Sequence, residues 1–308
     1  MNGIMSVILP AYNENANIER SYTAIDQILR NHNISYELIY INDGSTDNTW
    51  NEICKIAETK EGVSQVAGIC FSRNFGKEAA IMAGLAHASG DVCAVMDCDL
   101  QHPPEKLVEM YQLWQQGYKV VEGVKRNRGR ESGIYKAGAK MFYKLMTIAT
   151  KIDMSRASDF KLLDKQVVNS ILSMPERNQF FRASSSWVGY KKTEVEFDVR
   201  ERENGQSKWS KWSLIKYALK NIAAFSTFPL QFVTVAGIIT LTGAIILAVQ
   251  TLFRYYVGTA LEGFTTVILL LLIIGSIIMV SIGILGYYIA KIYEEVKQRP
   301  VYIISDMK

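Results

Sequence analysis

Short apolar runs alternate with amphipathic stretches along residues 1–125. Strands are expected at Ser6–Pro10, Glu37–Asn42, Gln65–Phe71, Val92–Met96 and Lys119–Gly123, each brief, apolar and bounded by turn residues. Between them the spacing predicts helices over Ala16–Arg30, Asp47–Glu58, Lys77–Ala88 and Glu105–Gln116. Ser45 or Thr46 is placed to cap the second helix, and Pro104 to open the fourth. A strand–helix rhythm of this kind folds as an α/β domain, a mostly parallel sheet with helices on both faces. Beyond residue 125 the rhythm loosens. Arg126, Arg128 and Arg130 share a Gly-containing loop, and a helix is expected from Tyr135 to Ile148. Asp159–Leu163 reads as a short strand leading into a helix, and Val195–Val199 alternates as an edge strand does.

The pattern then changes period and polarity. Trp209, Trp212, Ile215, Leu219 and Ile222 recur at helical spacing, with Lys211, Lys216 and Lys220 elsewhere around the wheel. That is an amphipathic helix suited to a membrane interface. No charged residue occurs from Asn221 to Phe253, nor from Gly263 to Ala290. Each stretch exceeds the roughly 20 apolar residues that cross a bilayer, so a membrane hairpin is expected. Lys208, Lys211, Lys216 and Lys220 precede it, Lys291, Lys297 and Arg299 follow it, and the loop between carries only Arg254. Positive charge on the flanks places both termini and the α/β domain in the cytoplasm, at the plasma (inner) membrane. The expected order is thus an α/β domain at 1–208, an interfacial helix at 209–228, spans at 229–253 and 263–290, and a cytoplasmic tail at 291–308. Met1 to Ala11 enters the first strand directly, without the pattern of a signal peptide.

Composition excludes several classes. The net charge of +4 comes with no basic stripe, so no nucleic-acid partner is expected. Cys54, Cys70, Cys93 and Cys98 lack Cys-X-X-Cys or zinc spacing and read as reduced thiols. The first turn, Pro10-Ala11-Tyr12-Asn13-Glu14, has neither a Gly-X-Gly-X-X-Gly fingerprint nor a Walker lysine, which argues against dehydrogenases and P-loop enzymes. His32, His87 and His102 have no partners at metal-ligand spacing.

Candidate chemistry concentrates at strand ends. Val92–Met96 empties into Asp97-Cys98-Asp99-Leu100-Gln101-His102-Pro103-Pro104, with two carboxylates one residue apart. At the carboxyl end of a sheet strand they stand where open α/β sheets bind ligands. Aspartates at i and i+2 can hold a hard cation whose shell is completed by phosphate oxygens and water. An isolated Asp-X-Asp is more often a solvated turn. Here two other strand ends, Pro10–Glu14 and Asn42–Asp47, converge on the same edge.

Leu9-Pro10-Ala11-Tyr12-Asn13-Glu14, Asn42-Asp43-Gly44-Ser45-Thr46-Asp47 and Asp97-Cys98-Asp99-Leu100-Gln101 resemble the markers of inverting family-two glycosyltransferases of the GT-A fold. Phe71-Ser72-Arg73-Asn74-Phe75-Gly76-Lys77-Glu78, Asp159-Phe160-Lys161-Leu162 and Arg202-X-X-Gly205-X-Ser207-Lys208 narrow the resemblance to polyprenyl-phosphate glycosyltransferases. Those are the dolichol-phosphate mannose synthases and bactoprenol glucosyltransferases, and the hairpin is most similar to the latter. The resemblance implies that Pro10, Tyr12, Glu14, Asp43 and Asp97 hold a nucleotide-sugar, and that Asp97, Asp99 and Gln101 hold Mg2+ or Mn2+. It implies Arg130, Arg202, Ser207 and Lys208 at the acceptor phosphate, and Asp159 beside sugar and acceptor. Catalysis would then rest on Asp97, Asp99, Asp159 and Arg202.

The physical reading runs alongside. Charge grows on a departing nucleoside diphosphate, and a divalent cation would stabilise it by several kcal/mol. A lipid phosphate is already largely ionised near neutral pH, so Asp159 serves as base or only orients groups. Arg and Lys would relieve the repulsion between two anions. In-line displacement inverts the anomeric centre. The expected reaction moves a sugar, foremost glucose from UDP-glucose, onto undecaprenyl phosphate, giving a lipid-linked sugar for cell-envelope glycosylation. UDP-N-acetylglucosamine and GDP-mannose stay open as donors. A processive polysaccharide synthase is disfavoured because Ala183, not Trp, follows Arg182 in Gln179-Phe180-Phe181-Arg182. A non-catalytic membrane scaffold is disfavoured by the intact acidic set. The hairpin offers a surface for copies of the same chain; a lipid flippase and a downstream glycosyltransferase are the further partners of such a pathway. At residue level Asp43 before Gly44 also suits a turn, Tyr12 either packs or stacks on a base, and Glu14 either binds ligand or favours a helix start.

Overall fold

The computed structural model describes residues 3–58, 65–126, 158–176, 180–198, 228–257 and 263–308. Its central strand is β1 (Met5–Ala11), buried at every position but Pro10, as a strand covered on both faces must be. There follow α1 (Asn15–Asn31), β2 (Tyr36–Asn42), α2 (Thr49–Glu58), β3 (Gln65–Phe71), α3 (Lys77–His87), β4 (Val92–Val95), α4 (Glu105–Gln115) and β5 (Val120–Lys125). After them come β6 (Lys161–Asp164), α5 (Lys165–Leu172), α6 (Phe181–Trp187) and β7 (Lys192–Phe197). The chain ends with α7 (Phe228–Tyr256), α8 (Phe264–Val296) and β8 (Ile304–Met307).

One eight-stranded sheet has the order β7-β5-β6-β4-β1-β2-β3-β8. β1 pairs parallel with β2 and β4, β2 with β3, and β5 with β7; β6 runs antiparallel between β4 and β5, and β8 antiparallel to β3. Alternation along β1 feeds two cores. Met5, Val7 and Leu9 pack with Ile18, Ile25 and Leu29 of α1 and Leu107 and Met110 of α4. Ile8 faces the other way, with Ala80, Ile81 and Leu85 of α3 and Val167, Val168 and Ile171 of α5. α1 supplies its side through a stripe, Ile18, Ser21, Ile25 and Leu29, at helical spacing. Helices thus cover both faces of a mostly parallel sheet.

The chain divides into two compact units, Met1–Trp209 with Pro300–Lys308, and Ser210–Arg299. In the second, α7 and α8 contain Val233–Arg254 and Ile273–Val296, each apolar and long enough to cross a membrane. Apolar side chains such as Ile239, Ile246, Val280 and Ile289 are exposed on them.

Three local expectations change. Ser45 and Thr46 do not cap α2: Ser45 Oγ accepts the Asn13 N–H at 2.9 Å, and the Thr46 N–H donates to Asn13 Oδ1 at 2.9 Å. Asp47 Oδ1 instead accepts the Thr49 N–H at 3.0 Å. The expected edge strand starts earlier, at Lys192, and does pair on one side only, with β5. The stretch read as a tail begins inside α8 and carries β8, which extends the sheet beyond β3. Four residues are too few for periodicity to announce a strand. The expected helix at 135–148 and the interfacial helix at 209–228 lie outside the described residues, save Phe228, which opens α7.

Candidate active site

β4, β1 and β2 are neighbours, and strand order reverses at β1, since β2 and β3 continue to one side while β4 lies on the other. A crevice at the carboxyl ends flanking such a reversal is the usual ligand site of open α/β sheets. Asp97 and Asp99 leave β4 there. Cys98 between them is buried and its thiol donates to the Pro10 carbonyl at 3.4 Å, so the intervening residue ties the turn to β1. Leu100 adopts φ 57° and Asp99 Oδ1 accepts the Gln101 N–H at 3.1 Å, which closes a tight turn before Pro103 and Pro104.

A second carboxylate arrives by register. Val95 pairs with Lys161 across the antiparallel β4–β6 ladder. Two residues on from Val95 and two residues back from Lys161, Asp97 and Asp159 come within reach of one another. Like charges across a ladder repel, and a cation between them is required. Lys77, the first residue of α3, supplies it: its Nζ lies 2.6 Å from Asp97 Oδ1 and 2.9 Å from Asp159 Oδ2. Arg182 of α6 grips Asp159 with two prongs, Nε to Oδ1 at 2.6 Å and an Nη to Oδ2 at 2.9 Å. The four charges cancel. Burial opposes ionisation of Asp159, but Lys77 and Arg182 outweigh it and hold the carboxyl well below its ordinary value. Burial is likewise outweighed at Asp97, first by Lys77 and then by His102, and its pKa falls. For Lys77 burial disfavours the ammonium, yet Asp97 and Asp159 raise its pKa above the ordinary lysine value.

Behind these groups the support is polar or aromatic. His102 Nδ1 accepts the Asp97 N–H at 3.3 Å while its ring stacks on Phe160 at 4.8 Å. Burial, the largest influence on the ring, lowers the His102 pKa against the pull of Asp97. Fully buried Lys161 pairs with Glu122 Oε1 at 3.0 Å and donates to Ser185 Oγ at 2.8 Å.

On the β2 side, Asp43 clamps the loop that follows β3. Its Oδ1 accepts the Phe75 N–H at 2.7 Å and its Oδ2 the Gly76 N–H at 2.9 Å. Burial raises its pKa against the pull of those two amides. Gly44, at φ +63°, lets the two segments meet: a Cβ there would lie 2.3 Å from the Arg73 carbonyl carbon. Asn13, at φ 55°, links β1 to the β2 turn through Ser45 and Thr46. Glu14 flanks α1, its Oε2 accepting from Asn17 Nδ2 at 2.6 Å. Tyr12 is exposed.

The structure therefore brings Pro10, Tyr12, Glu14, Asp43, Asp97, Asp99 and Gln101 to neighbouring strand ends, and adds Asp159 through β6. Arg130, Arg202, Ser207 and Lys208 lie outside the described residues. Arg126, which directly follows β5, pairs weakly with Glu196 and Asp198, both at 3.5 Å. Lys77, Arg182 and His102 were not among the expected site residues. Lys77 had a local signal: a cation in the first turn of a helix opposes the macrodipole and calls for an anionic neighbour. Arg182 had none, because only folding brings α6 to Asp159.

The chemistry of the donor set suits a divalent cation. Asp97 and Asp99 are hard oxygen donors, partly exposed, on either side of one turn residue. Among the described residues no group of three or more His, Cys, Asp or Glu gathers around one point. Two carboxylates with the shell completed by substrate phosphates is how Mg2+ is ordinarily held.

Comparison with known proteins gives the family of the chain. The profile of glycosyl transferase family 2 matches residues 6–172. An uncharacterized glycosyltransferase of Synechocystis sp. is 37% identical over 305 residues, covering 98% of this chain and 95% of that protein. The prophage bactoprenol glucosyl transferase homolog of Escherichia coli is 36% identical over 307 residues, 99% of both chains. The bactoprenol glucosyl transferase of Shigella phage SfII is 37% identical over 307 residues, 98% of this chain and 97% of that one. Glucosyl-3-phosphoglycerate synthase from Mycobacterium tuberculosis, solved with UDP, is 20% identical over 72% of this chain and 78% of its own, with a TM-score of 0.48. With the family profile spanning the strands and turns that carry Asp43, Asp97, Asp99 and Asp159, the chain belongs to glycosyl transferase family 2.

Proposed function

We propose that this protein is a membrane-bound, metal-dependent inverting hexosyltransferase that moves glucose from UDP-glucose onto a polyprenyl phosphate. The observation that carries the reading is the convergence of Asp43, Asp97, Asp99 and Asp159 at one sheet edge, in a chain related end to end to bactoprenol glucosyl transferases. Pro10, Tyr12, Glu14 and Asp43 would bind base and ribose, with Asp43 also holding the 72–76 loop. Asp97, Asp99 and Gln101 would hold Mg2+ or Mn2+, which when bound offsets charge on the departing diphosphate. Lys77 sits within reach of that charge and screens Asp97 from Asp159. Asp159, kept ionised by Lys77 and Arg182, is an acceptor for sugar hydroxyls rather than a proton donor. Arg130, Arg202, Ser207 and Lys208 would fix the lipid phosphate, whose ionised oxygen attacks the anomeric carbon from the face opposite the leaving group.

The lipid partner explains the second unit. Each buried methylene of a polyprenyl chain is worth about 0.8 kcal/mol, so the acceptor stays in the bilayer. Helices α7 and α8 would anchor the enzyme there, with the sheet domain and both termini cytoplasmic by the charge flanking them. The test is transfer of labelled glucose from UDP-glucose into extractable lipid by the purified full chain with Mg2+ or Mn2+. Wild-type protein should label lipid with a single sugar, Asp99→Ala should lose at least about a hundredfold, and chelation should abolish the reaction. Unimpaired turnover by Asp99→Ala would remove the metal from the scheme, and a labelled polymer would point to a processive synthase.

A further inference from the structure

The chain leaves α8 at Val296 and at once returns to the sheet. Lys308 and Gly68 exchange N–H···O bonds at 2.9 Å in both directions, and the Ser72 N–H donates to the Ile303 carbonyl at 3.0 Å. Ser305 Oγ adds a bond to the Cys70 carbonyl at 3.1 Å. The terminal segment is thus laced to β3 and to the first residue of the 72–76 loop. Side chains carry the contact onward. The Tyr302 ring stacks on Phe71, with centroids 5.1 Å apart and planes 12° apart, and Phe71 meets Phe75 edge-on at 5.8 Å. Arg73 covers the Phe75 ring, its guanidinium carbon 4.1 Å from the centroid. Phe75 and Gly76 donate their amides to Asp43, and the next residue is Lys77, paired with Asp97 and Asp159.

A ring stack and three backbone bonds of the 300–308 segment are therefore linked to Asp43 through Phe71 and Phe75, and Lys77 follows that loop directly. The 72–76 loop is held by Asp43 from one side and by the Tyr302–Phe71 stack from another. Removing Tyr302 takes away the ring stacked on Phe71, so that Phe71 and the Phe75 ring set edge-on against it can shift, and with them the loop amides bound to Asp43. β8 covers β3, which would otherwise be an edge strand.

We propose that Tyr302, with the Pro300–Lys308 segment that seats it, is a positioning residue for the donor nucleotide, acting through Phe71 and Phe75 on Asp43. It is not catalytic, since it touches none of the reacting atoms. The consequence is a donor site whose loop is braced by the residues immediately following the second apolar helix. The inference rests on the nucleotide-sugar reading above, and its first readout is independent of that reading.

The experiment compares wild-type full-length protein with Tyr302→Ala and Tyr302→Phe. Hydrogen exchange of the peptide covering residues 71–77 is measured without ligand, and UDP affinity and the donor KM and kcat are measured with Mn2+. Tyr302→Ala should speed exchange of the Phe75 and Gly76 amides at least tenfold while β1 and β2 amides are unchanged. It should weaken UDP and raise the donor KM five- to tenfold, with kcat within twofold. Tyr302→Phe, which keeps the ring, should behave as wild type in every measurement. Unchanged exchange at Phe75 and Gly76, or exchange that rises equally throughout the sheet, would overturn the inference. So would a Tyr302→Phe variant as impaired as Tyr302→Ala. If wild-type protein binds no UDP while the exchange result holds, the bracing stands and the donor reading falls.

Discussion

At the residue scale the site is an arrangement of charge that no single residue explains. Asp97 and Asp159 oppose one another because the β4–β6 register puts them there, and Lys77 makes the arrangement tolerable. Replacing Lys77 by Met should destabilise the fold by about 2 kcal/mol, less than the ~3–5 kcal/mol of a fully buried pair because 41% of the lysine side chain is exposed. Adding Asp97→Asn should recover part of that loss, a coupling that a double-mutant cycle of urea midpoints reads directly. Glu78, next along α3, carries a pH dependence. Burial, then the neighbouring Asp159, raises its carboxyl from 4.5 to about 7, although Oε2 accepts the Phe181 N–H at 2.9 Å. The folded protein keeps a proton that the unfolded chain has lost between these two values, so stability should fall as pH rises from about 4.5 to 7. Each tenfold change in proton affinity is worth about 1.4 kcal/mol, which sets a ceiling of about 3.5 kcal/mol on the fall. Glu78→Gln should flatten that part of the thermal midpoint–pH curve; a curve unchanged by the substitution would assign the dependence elsewhere.

At the element scale, the positions that matter are turns rather than strand interiors. The four turns after β1, β2, β3 and β4 are tied to one another by Asn13, Asp43, Ser45 and Cys98. Gly44 is the closest approach among them. Gly44→Ala would combine a left-handed backbone with a Cβ 2.3 Å from the Arg73 carbonyl carbon, at a cost of roughly 2–4 kcal/mol. The Asp43 clamp would have to open, so nucleotide affinity should fall together with the unfolding midpoint, both read on one preparation. The strands and helices of the first half were legible in the sequence because burial on both faces of β1, β2 and β4 leaves mostly apolar runs, and α1 and α2 keep apolar stripes. β8 and the true cap of α2 were not legible. The first is too short to show a period, and the second depended on Ser45 being drawn away to Asn13.

At the scale of the whole molecule the two units are sequentially nested: the catalytic sheet is interrupted by α7 and α8 and then completed by the last residues. A chain ending at Trp209 lacks β8 and presents the β3 edge. It should melt about 5 °C lower, the effect of roughly 2 kcal/mol on a domain of this size, and should self-associate through the open edge. Calorimetry and size-exclusion chromatography test both, and a peptide of residues 300–308 added in trans should restore part of the midpoint. An unchanged midpoint would make β8 an ornament of the sheet rather than part of its stability.

Local order along the chain was enough to determine the α/β class, the helix–strand sequence of the first half, the two long apolar helices and the presence of Asp97 and Asp99 at a strand end. Those features depend on spacings of two to four residues, or on unbroken apolar length, and so survive without knowledge of the fold. Which charges meet was decided only in three dimensions. Asp97 and Asp159 are brought together by an antiparallel register, Lys77 and Arg182 by helices packed on the same edge, and Tyr302 by a terminal strand that returns to β3. Contacts of that separation leave no period behind them in the sequence, because the energy that selects them belongs to the assembled sheet.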